Sequence, residues 1–460
     1  MEIYWQRVVS ACWVGFDVER KSRWRMSDLI PVTCPSQCVC IAVVVAVLCG
    51  ADCKAQSATA DGLFRHTGNH IRLVTDIDDA SQMDTIVATF DAAVPQWVSF
   101  WRLEPDAADD WVVDAYVMRN DQPFRDKGLL PRSLAEFPYG IADGNRVWVR
   151  EQADDYYTRH LVLHEGVHAL MYEQFGGAGP TWFMEGTAEL LSVHSGVGSG
   201  VVIGQVPRNR ESVPGWGRFK ILSQRRDDGE VKTIEDVMRL PHRLRGDVES
   251  YGWSWAAVMM LAQYAEYRDA LVDAATRDGR DQSNDFTRRL YAKLVRQWPV
   301  VRARWALMNL ELDYGFRWDR ESIDIAVDDP LYDGSEIQTT LHADRGWQST
   351  GYRFPASSVV RIAAQGDVAL ADTTRPWVSL PDGITLRHVR GRPLGQVIAC
   401  LVPTDIRDTG SATLPTIVTV GDDATIRMDR ASWLFLRVND SVDQLTDNQG
   451  HFEIRITPAR

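Results

Sequence analysis

The spacing of apolar positions changes along the chain, and each change predicts a different kind of structure. From about residue 69 to 150, short apolar runs flank one long helical period. Ile71-Arg72-Leu73-Val74-Thr75, Trp111 to Met118, and Arg146-Val147-Trp148-Val149 read as strands, and Asp84 to Phe100 reads as a helix. Up to about Trp318 the spacing is then mostly helical, interrupted by a Gly-rich strand pair from Gly196 to Gly204. Tyr251 opens an apolar helix through Leu261, and Leu290, Leu294, Trp298, Val301, Trp305 and Leu310 have the spacing of helical core. Beyond about residue 330, Gly and Pro become frequent and β-branched runs take over: Val359 to Ala364, Val397 to Val402, Ile417 to Val420, Trp433 to Val438, and Phe452 to Ile456. Short strands separated by turn signals predict a β-sandwich, with the junction at Asp329-Pro330 to Glu336. No internal repeat or low-complexity tract is visible.

The uncharged, apolar stretch around residues 161–170 also carries chemistry. It contains His164-Glu165-Gly166-Val167-His168, the pattern H-E-x-x-H. Residues four apart share a helix face, so both imidazoles can reach one metal ion. Glu165 lies about 100° further round and suits holding a water and taking its proton. Gly176-Gly177-Ala178-Gly179-Pro180 stops this helix, and Thr181 is the expected N-cap of a second one running through Leu191. On that helix Glu185 and Glu189 are spaced i, i+4 and can both face the first helix. Glu185 is assigned as third metal ligand and Glu189 as the carboxylate that orients a ligating histidine through its other ring nitrogen. Two His, one carboxylate and an open position describe catalytic rather than structural zinc.

H-E-x-x-H, a short loop, and then Trp182-Phe183-Met184-Glu185-Gly186-Thr187-Ala188-Glu189 resemble the gluzincin metallopeptidases. The resemblance implies His164, His168 and Glu185 on Zn2+ with Glu165 as general base. Sixteen residues separate His168 from Glu185, a shorter loop than in the best-known members, which leaves Glu189 as the alternative ligand. In similar sequences a Tyr on a helix returning to the cleft stabilises the oxyanion, which makes Tyr251 a candidate; the plain alternative is an aromatic packed at a helix start. Gluzincins also pair an extended substrate with a strand near the site, so the 146–150 segment is either that strand or an interior one. His160, one turn before His164, is read as a surface or second-layer residue. His194 and His242 receive no role.

The net charge of −13 argues against nucleic acid or an anionic membrane surface as main partner. Six of the seven Cys precede residue 54, which points to targeting rather than disulfides. Cys38 to Cys49 is an apolar run too short for a stable membrane span and fits a signal-peptide core. Arg20, Lys21, Arg23 and Arg25 precede it, and Met26 is an alternative start. Cleavage near Ala55 is expected, giving a secreted or periplasmic, cell-envelope protein; an uncleaved anchor is the alternative and the one route to a membrane. Cys400 is then the single remaining thiol, in a strand that reads as buried core.

The last region resembles the calcium-dependent galactophilic lectins of the PA-I type across roughly residues 346–458. The carrying residues are Gly346-Trp347, Pro381-Asp382-Gly383, Pro393-Leu394-Gly395, Val438-Asn439-Asp440 and Asp447-Asn448-Gln449-Gly450. The resemblance implies Asp440, Asp447 and Asn448 as Ca2+ ligands, with the Gln444 carbonyl as a fourth, and calcium does favour such hard oxygen donors. An ordinary acidic hairpin loop is the plain alternative. The sugar-contacting positions of those lectins are here Leu380 and Gly383, so galactose specificity does not carry over.

The expected architecture is multidomain: a signal peptide or anchor (1–55), the N-terminal lobe (56–150) and helical zinc-binding lobe (151–330) of an α+β zincin-like metallopeptidase, and an all-β lectin-like sandwich (331–460). The expected function is hydrolysis of peptide or protein substrates, with glycan as a partner of the last domain. The alternatives are a catalytically inactive, carbohydrate-binding adhesion protein on the same scaffold and a hydrolase acting on a non-peptide amide.

Overall fold

The computed structural model describes residues 62–134, 136–241, 247–371, 374–404 and 414–459. The expected signal or anchor segment and His242 lie outside these residues. Among the described residues, no helix is long and apolar enough to cross a membrane.

Strands β1 (Phe64–Thr67), β2 (Ile71–Thr75), β3 (Val113–Met118), β4 (Gly140–Asp143) and β5 (Arg146–Arg150) form one sheet in the order β1-β2-β3-β5-β4. The inner three run parallel and the outer two antiparallel to their neighbours. Parallel neighbours need a crossover, and helix α1 (Ala80–Trp101) supplies it between β2 and β3. The 146–150 segment is therefore interior, because Val147 and Val149 pack into the main core while Trp148 packs on the opposite face. The edge next to β5 belongs to β4, and β1 is the opposite edge. Gly140-Ile141-Ala142-Asp143 has no strand-like alternation, which is why the sequence does not announce it.

After a short helix α2 (Gln122–Asp126) and the strands β4 and β5 come α3 (Asp155–Phe175) and α4 (Thr181–Ser192). The Asp154 carboxylate accepts from the Tyr156 N–H to start α3, and Gly176 ends it at φ 70°. The helix α4 starts with Pro180 at its cap rather than Thr181. The extended proline leaves its carbonyl to accept from the N–H groups of Phe183 and Met184, so no side-chain cap is needed. Two glycines set the spacing here. A Cβ on Gly166 would lie 2.4 Å from the Phe90 ring of α1. A Cβ on Gly186 would lie 2.3 Å from the Ser254 carbonyl oxygen.

The Gly-rich pair shrinks to two-residue strands, β6 (His194–Ser195) and β7 (Val202–Ile203). Helices α5 (Arg218–Asp227), α6 (Ile234–Met238), α7 (Val248–Gln263), α8 (Ala265–Asp278), α9 (Asn284–Leu294), α10 (Trp298–Glu311) and α11 (Trp318–Glu321) follow. One apolar core, from Ile71 to Phe316, joins the sheet, α1, α3, α4 and α7.

The C-terminal region is β-rich: β8 (Ile337–His342), β9 (Gln348–Phe354), β10 (Val359–Gln365), β11 (Val368–Leu370), β12 (Trp377–Ser379), β13 (Ile384–Val389), β14 (Arg392–Leu394), β15 (Val397–Pro403), β16 (Thr416–Thr419), β17 (Asp423–Arg427), β18 (Ser432–Val438) and β19 (Gln449–Pro458). One sheet follows the order β12-β11-β19-β10-β17 with β8 also on β19, another follows β16-β15-β18-β9, and β13-β14 is a separate ribbon. The described residues thus form a multi-sheet α+β protein with a C-terminal β region. Strands β15 and β18 are buried on both faces. Val397, Ala399, Leu434, Leu436 and Val438 enter the core between the sheets. Ile398, Cys400, Val402, Trp433 and Phe435 meet Val300, Ala303, Leu307 and Leu310 of α10 in a third core. Cys400 is fully buried there, and burial pushes its thiol pKa up.

Candidate functional site

Consecutive turns of α3 carry His160, His164 and His168 inward, and α4 brings Glu185 and Glu189 against them. The Nε2 atoms of His164 and His168 lie 3.2 Å apart, and Glu185 Oε2 lies 3.2 Å from the first and 3.6 Å from the second. Ligands about 2.0–2.1 Å from a tetrahedral ion are separated by roughly 3.3–3.4 Å, so this trio has the spacing of three corners around one zinc. Two imidazoles and a carboxylate also match the donor set of such a site. Burial would raise the Glu185 carboxyl, but hydrogen bonds and charge from His164 and His168 outweigh it and hold the pKa at about 2.

Glu189 stands one layer behind. Its Oε1 accepts from Arg218 Nη2 at 2.5 Å and its Oε2 from Trp216 Nε1 at 3.0 Å. Burial would raise its pKa, and the Arg218 charge, with smaller help from His160 and His164, holds it at about 2. The carboxylate comes within 3.9 Å of His164 Nδ1 and 3.7 Å of His160 Nε2. These separations are longer than hydrogen bonds, and the Nδ1 atoms of His164 and His168 are buried with no hydrogen-bond partner. His160 is fully buried rather than on a surface, with neither ring nitrogen hydrogen-bonded, and burial lowers its pKa to about 3. It stacks on Tyr156 and Tyr157, at 6.2 and 5.6 Å between ring centres. His194 is also core: it is hydrogen-bonded to the Ser192 carbonyl and accepts from Arg159 Nε at 2.9 Å.

Glu165 is buried beside the trio. Desolvation, assisted by Glu185 and opposed by His168, raises its pKa to about 7. Tyr251, in the first turns of α7, lies 6.4 Å from the His164 ring, centre to centre. Desolvation and the three nearby glutamates push its phenol pKa well up, so it remains a proton donor. The Arg218 guanidinium lies 5.6 Å from the Tyr251 ring centre and so touches both Tyr251 and Glu189.

Sequence patterns miss Arg218, Trp216 and the edge strand β4. Gly215-Trp216-Gly217-Arg218 sits in no recognisable motif, and its tie to Glu189 spans nearly thirty residues. The composition of buried ion partners is set by the fold, so no local pattern could have identified this one.

In the β region, Asp440 and Asn448 meet while Asp447 sits half-buried at the end of the turn Leu445–Asp447. Asn448 Nδ2 donates to Asp440 Oδ2 at 2.9 Å and to the Ala343 carbonyl at 3.2 Å. Its Oδ1 is buried without a partner, and burial raises the Asp440 carboxyl pKa. A carboxylate beside an unpaired buried amide oxygen suits a hard cation. Leu380 is 64% exposed and Gly383 turns at φ 82°, and neither has a polar side-chain atom to offer a sugar.

Neither a protein-family model nor a curated protein matches the chain. Among solved structures it is similar to the N-terminal domain of EclA, a PllA-like lectin, at 20% identity over 26% of this chain and 95% of that one, with a TM-score of 0.20. It is also similar to IMPa from Pseudomonas aeruginosa in complex with an O-glycopeptide, at 14% identity over 55% of this chain and 25% of that one, with a TM-score of 0.15. The IMPa metallopeptidase in complex with T-antigen gives 10% identity over 86% of this chain and 48% of that one, with a TM-score of 0.16. This chain therefore spans at most about half of the IMPa chain. No residue of the site is assigned by these likenesses.

Proposed function

We propose that the chain is a zinc-dependent metallopeptidase of gluzincin type, with a zincin-like catalytic part over residues 56–330 and a lectin-like domain over 331–460. The observation that carries this is the trio of ligand atoms 3.2–3.6 Å apart on His164, His168 and Glu185, beside the buried carboxylate of Glu165. Zinc held by these three residues would supply Lewis acidity toward a carbonyl oxygen and toward water. Glu165 takes the proton of the attacking water and delivers it to the leaving amine, a task suited to a carboxyl raised toward neutrality. Tyr251 donates its phenolic hydrogen to the oxygen that gains charge during attack.

An extended substrate is proposed to dock on the free edge of β4. Arg150 N–H donates to the Tyr139 carbonyl at 2.8 Å, which makes residues 139 and 150 a hydrogen-bonded pair. Antiparallel pairs alternate, so Gly140 and Ala142 turn their N–H and C=O groups away from β5 toward the free side. The Asp440, Asp447 and Asn448 loop is proposed to hold calcium, and the β domain to engage glycan on the substrate or its surroundings. The chain is proposed to act outside the cytoplasm, after export directed by its first 55 residues.

The test is metal content and peptide hydrolysis on the same full-length preparations. The parent is expected to bind about one zinc per chain. Glu185→Ala should lose most of that zinc, and Glu165→Gln should keep it while losing hydrolysis. Full activity in Glu165→Gln would remove Glu165 as base, and a parent that stays zinc-free after supplementation would remove the metal centre.

A further inference from the structure

The edge strand does more than present backbone. Gly140 lies against the Glu165 side chain: a Cβ on it would sit 2.6 Å from Glu165 Oε1, 2.9 Å from Cγ and 3.1 Å from Cδ. Those separations are below any normal van der Waals contact, and three of the five side-chain heavy atoms of Glu165 are involved. Gly140 is in an ordinary strand conformation, outside the left-handed region, so its missing side chain is not explained by backbone strain. It is also not explained by the sheet, since strand positions gain from a side chain. What occupies the space is the Glu165 carboxylate.

Glu165 has little other room. It is 6% exposed, with His168 and Glu185 close by. Among the described residues no hydrogen bond fixes its orientation, and the space beside Gly140 is where its carboxylate lies.

We propose that Gly140 is a positioning residue for Glu165: its bare Cα on the free edge of β4 forms the wall against which the general base rests. This rests on the assignment of Glu165 as the base. The edge strand and the base then move together, so a substrate paired to β4 is placed by the same backbone that places the carboxylate. Any side chain at residue 140 displaces the carboxylate while leaving the three metal ligands in place.

The experiment is a Gly140→Ala and Glu165→Ala double-mutant cycle in the full chain, read by zinc content, steady-state kinetics and melting temperature. Gly140→Ala should keep zinc at the parental level and change KM little. Its kcat should fall by tenfold to about a hundredfold, the usual cost of misplacing a reacting group by about 1 Å. It should also lower the melting temperature by a few degrees with Glu165 present and not at all in the Glu165→Ala background, where the space is vacant. A kcat within about twofold of the parent overturns the proposal, since the carboxylate would then keep its working place whatever stands at residue 140. An equal melting penalty in both backgrounds also overturns it, because the new methyl would then be clashing elsewhere. If the parent binds zinc but hydrolyses no peptide, the peptidase assignment fails by itself. The melting cycle still decides whether residue 140 sets the place of Glu165.

Discussion

Replacing Arg218 with Met tests whether the layer behind the proposed metal ligands supports the site or only fills space. Arg218 and Glu189 are 6% and 1% exposed, and the guanidinium donates to Glu189 Oε1 at 2.5 Å. Removing one partner of a buried pair leaves the other charge uncompensated, typically at a cost of about 3–5 kcal/mol. Trp216 would still donate to Oε2, so the lower end applies, about 3 kcal/mol. Urea unfolding followed by tryptophan fluorescence reads that loss, and Trp216 and Trp255 lie in the same cluster. The double variant Glu189→Gln, Arg218→Met has no stranded charge and should be clearly more stable than Arg218→Met alone. Metal affinity is the second readout. Glu189 faces His164 Nδ1, so loosening it should weaken zinc by about 10- to 100-fold in competition with a chelator. Unchanged stability and affinity within twofold would refute both parts. Lost stability with unchanged affinity would leave Glu189 and Arg218 as packing alone.

Two further outcomes are expected. His194 is kept neutral by burial, with its pKa lowered from 6.5 to about 4. An unfolded chain therefore takes a proton below pH 6.5 that the folded chain refuses until about pH 4. Stability falls as pH drops through this window, by on the order of 3 kcal/mol in total. His194→Gln should lose less stability than the parent between pH 7 and 4.5 in urea titrations, and an equal loss would sink the assignment. Calcium alone should raise the melting temperature of the parent but not of Asp447→Ala; a parent indifferent to calcium would remove the cation from the 440–448 loop.

The meeting of His164, His168, Glu185 and Glu189 was legible in sequence because a helix converts spacing into shared direction. His164 and His168 are four apart, and Glu185 and Glu189 are four apart, so two helices meeting face to face bring all four inward. The layer that supports them was not legible. Arg218 reaches Glu189 from α5, and Gly140 reaches Glu165 from an edge strand of four residues. Both contacts depend on how elements dock rather than on any local period. Of the two readings of His160, surface or second layer, the surface one fails for a related reason: residues 158–171 of α3 are buried throughout, so the local pattern does not alternate to signal an outward face. In the β region, the runs at 397–402 and 433–438 were recognisable as strands, the first as a buried one, but not what covered their second face.

That second face bears on how the two ends of the chain act together. On β18, Trp433, Phe435 and Arg437 alternate toward α10 and α11, so the strand's pleat delivers a guanidinium into the same apolar junction. Arg437 is 1% exposed and its Nη1 donates to both oxygens of Glu321, at 2.9 and 2.8 Å. Glu311, at the end of α10, accepts from Trp347 Nε1 at 3.0 Å and from Arg390 Nη1 at 2.6 Å. Two buried acids from the helices thus meet the buried Arg437 and the partly exposed Arg390 of the β region, and such pairing adds directional specificity where apolar contact alone would tolerate sliding. Arg437 also donates to the Asp440 carbonyl at 3.3 Å, and a Cβ on Gly315 would lie 2.5 Å from Asp443 Cβ. The 440–448 loop therefore rests on the helical part as well as on its own sheet. A ligand seated in that loop would be held against the helical part by these contacts, instead of swinging on a flexible linker.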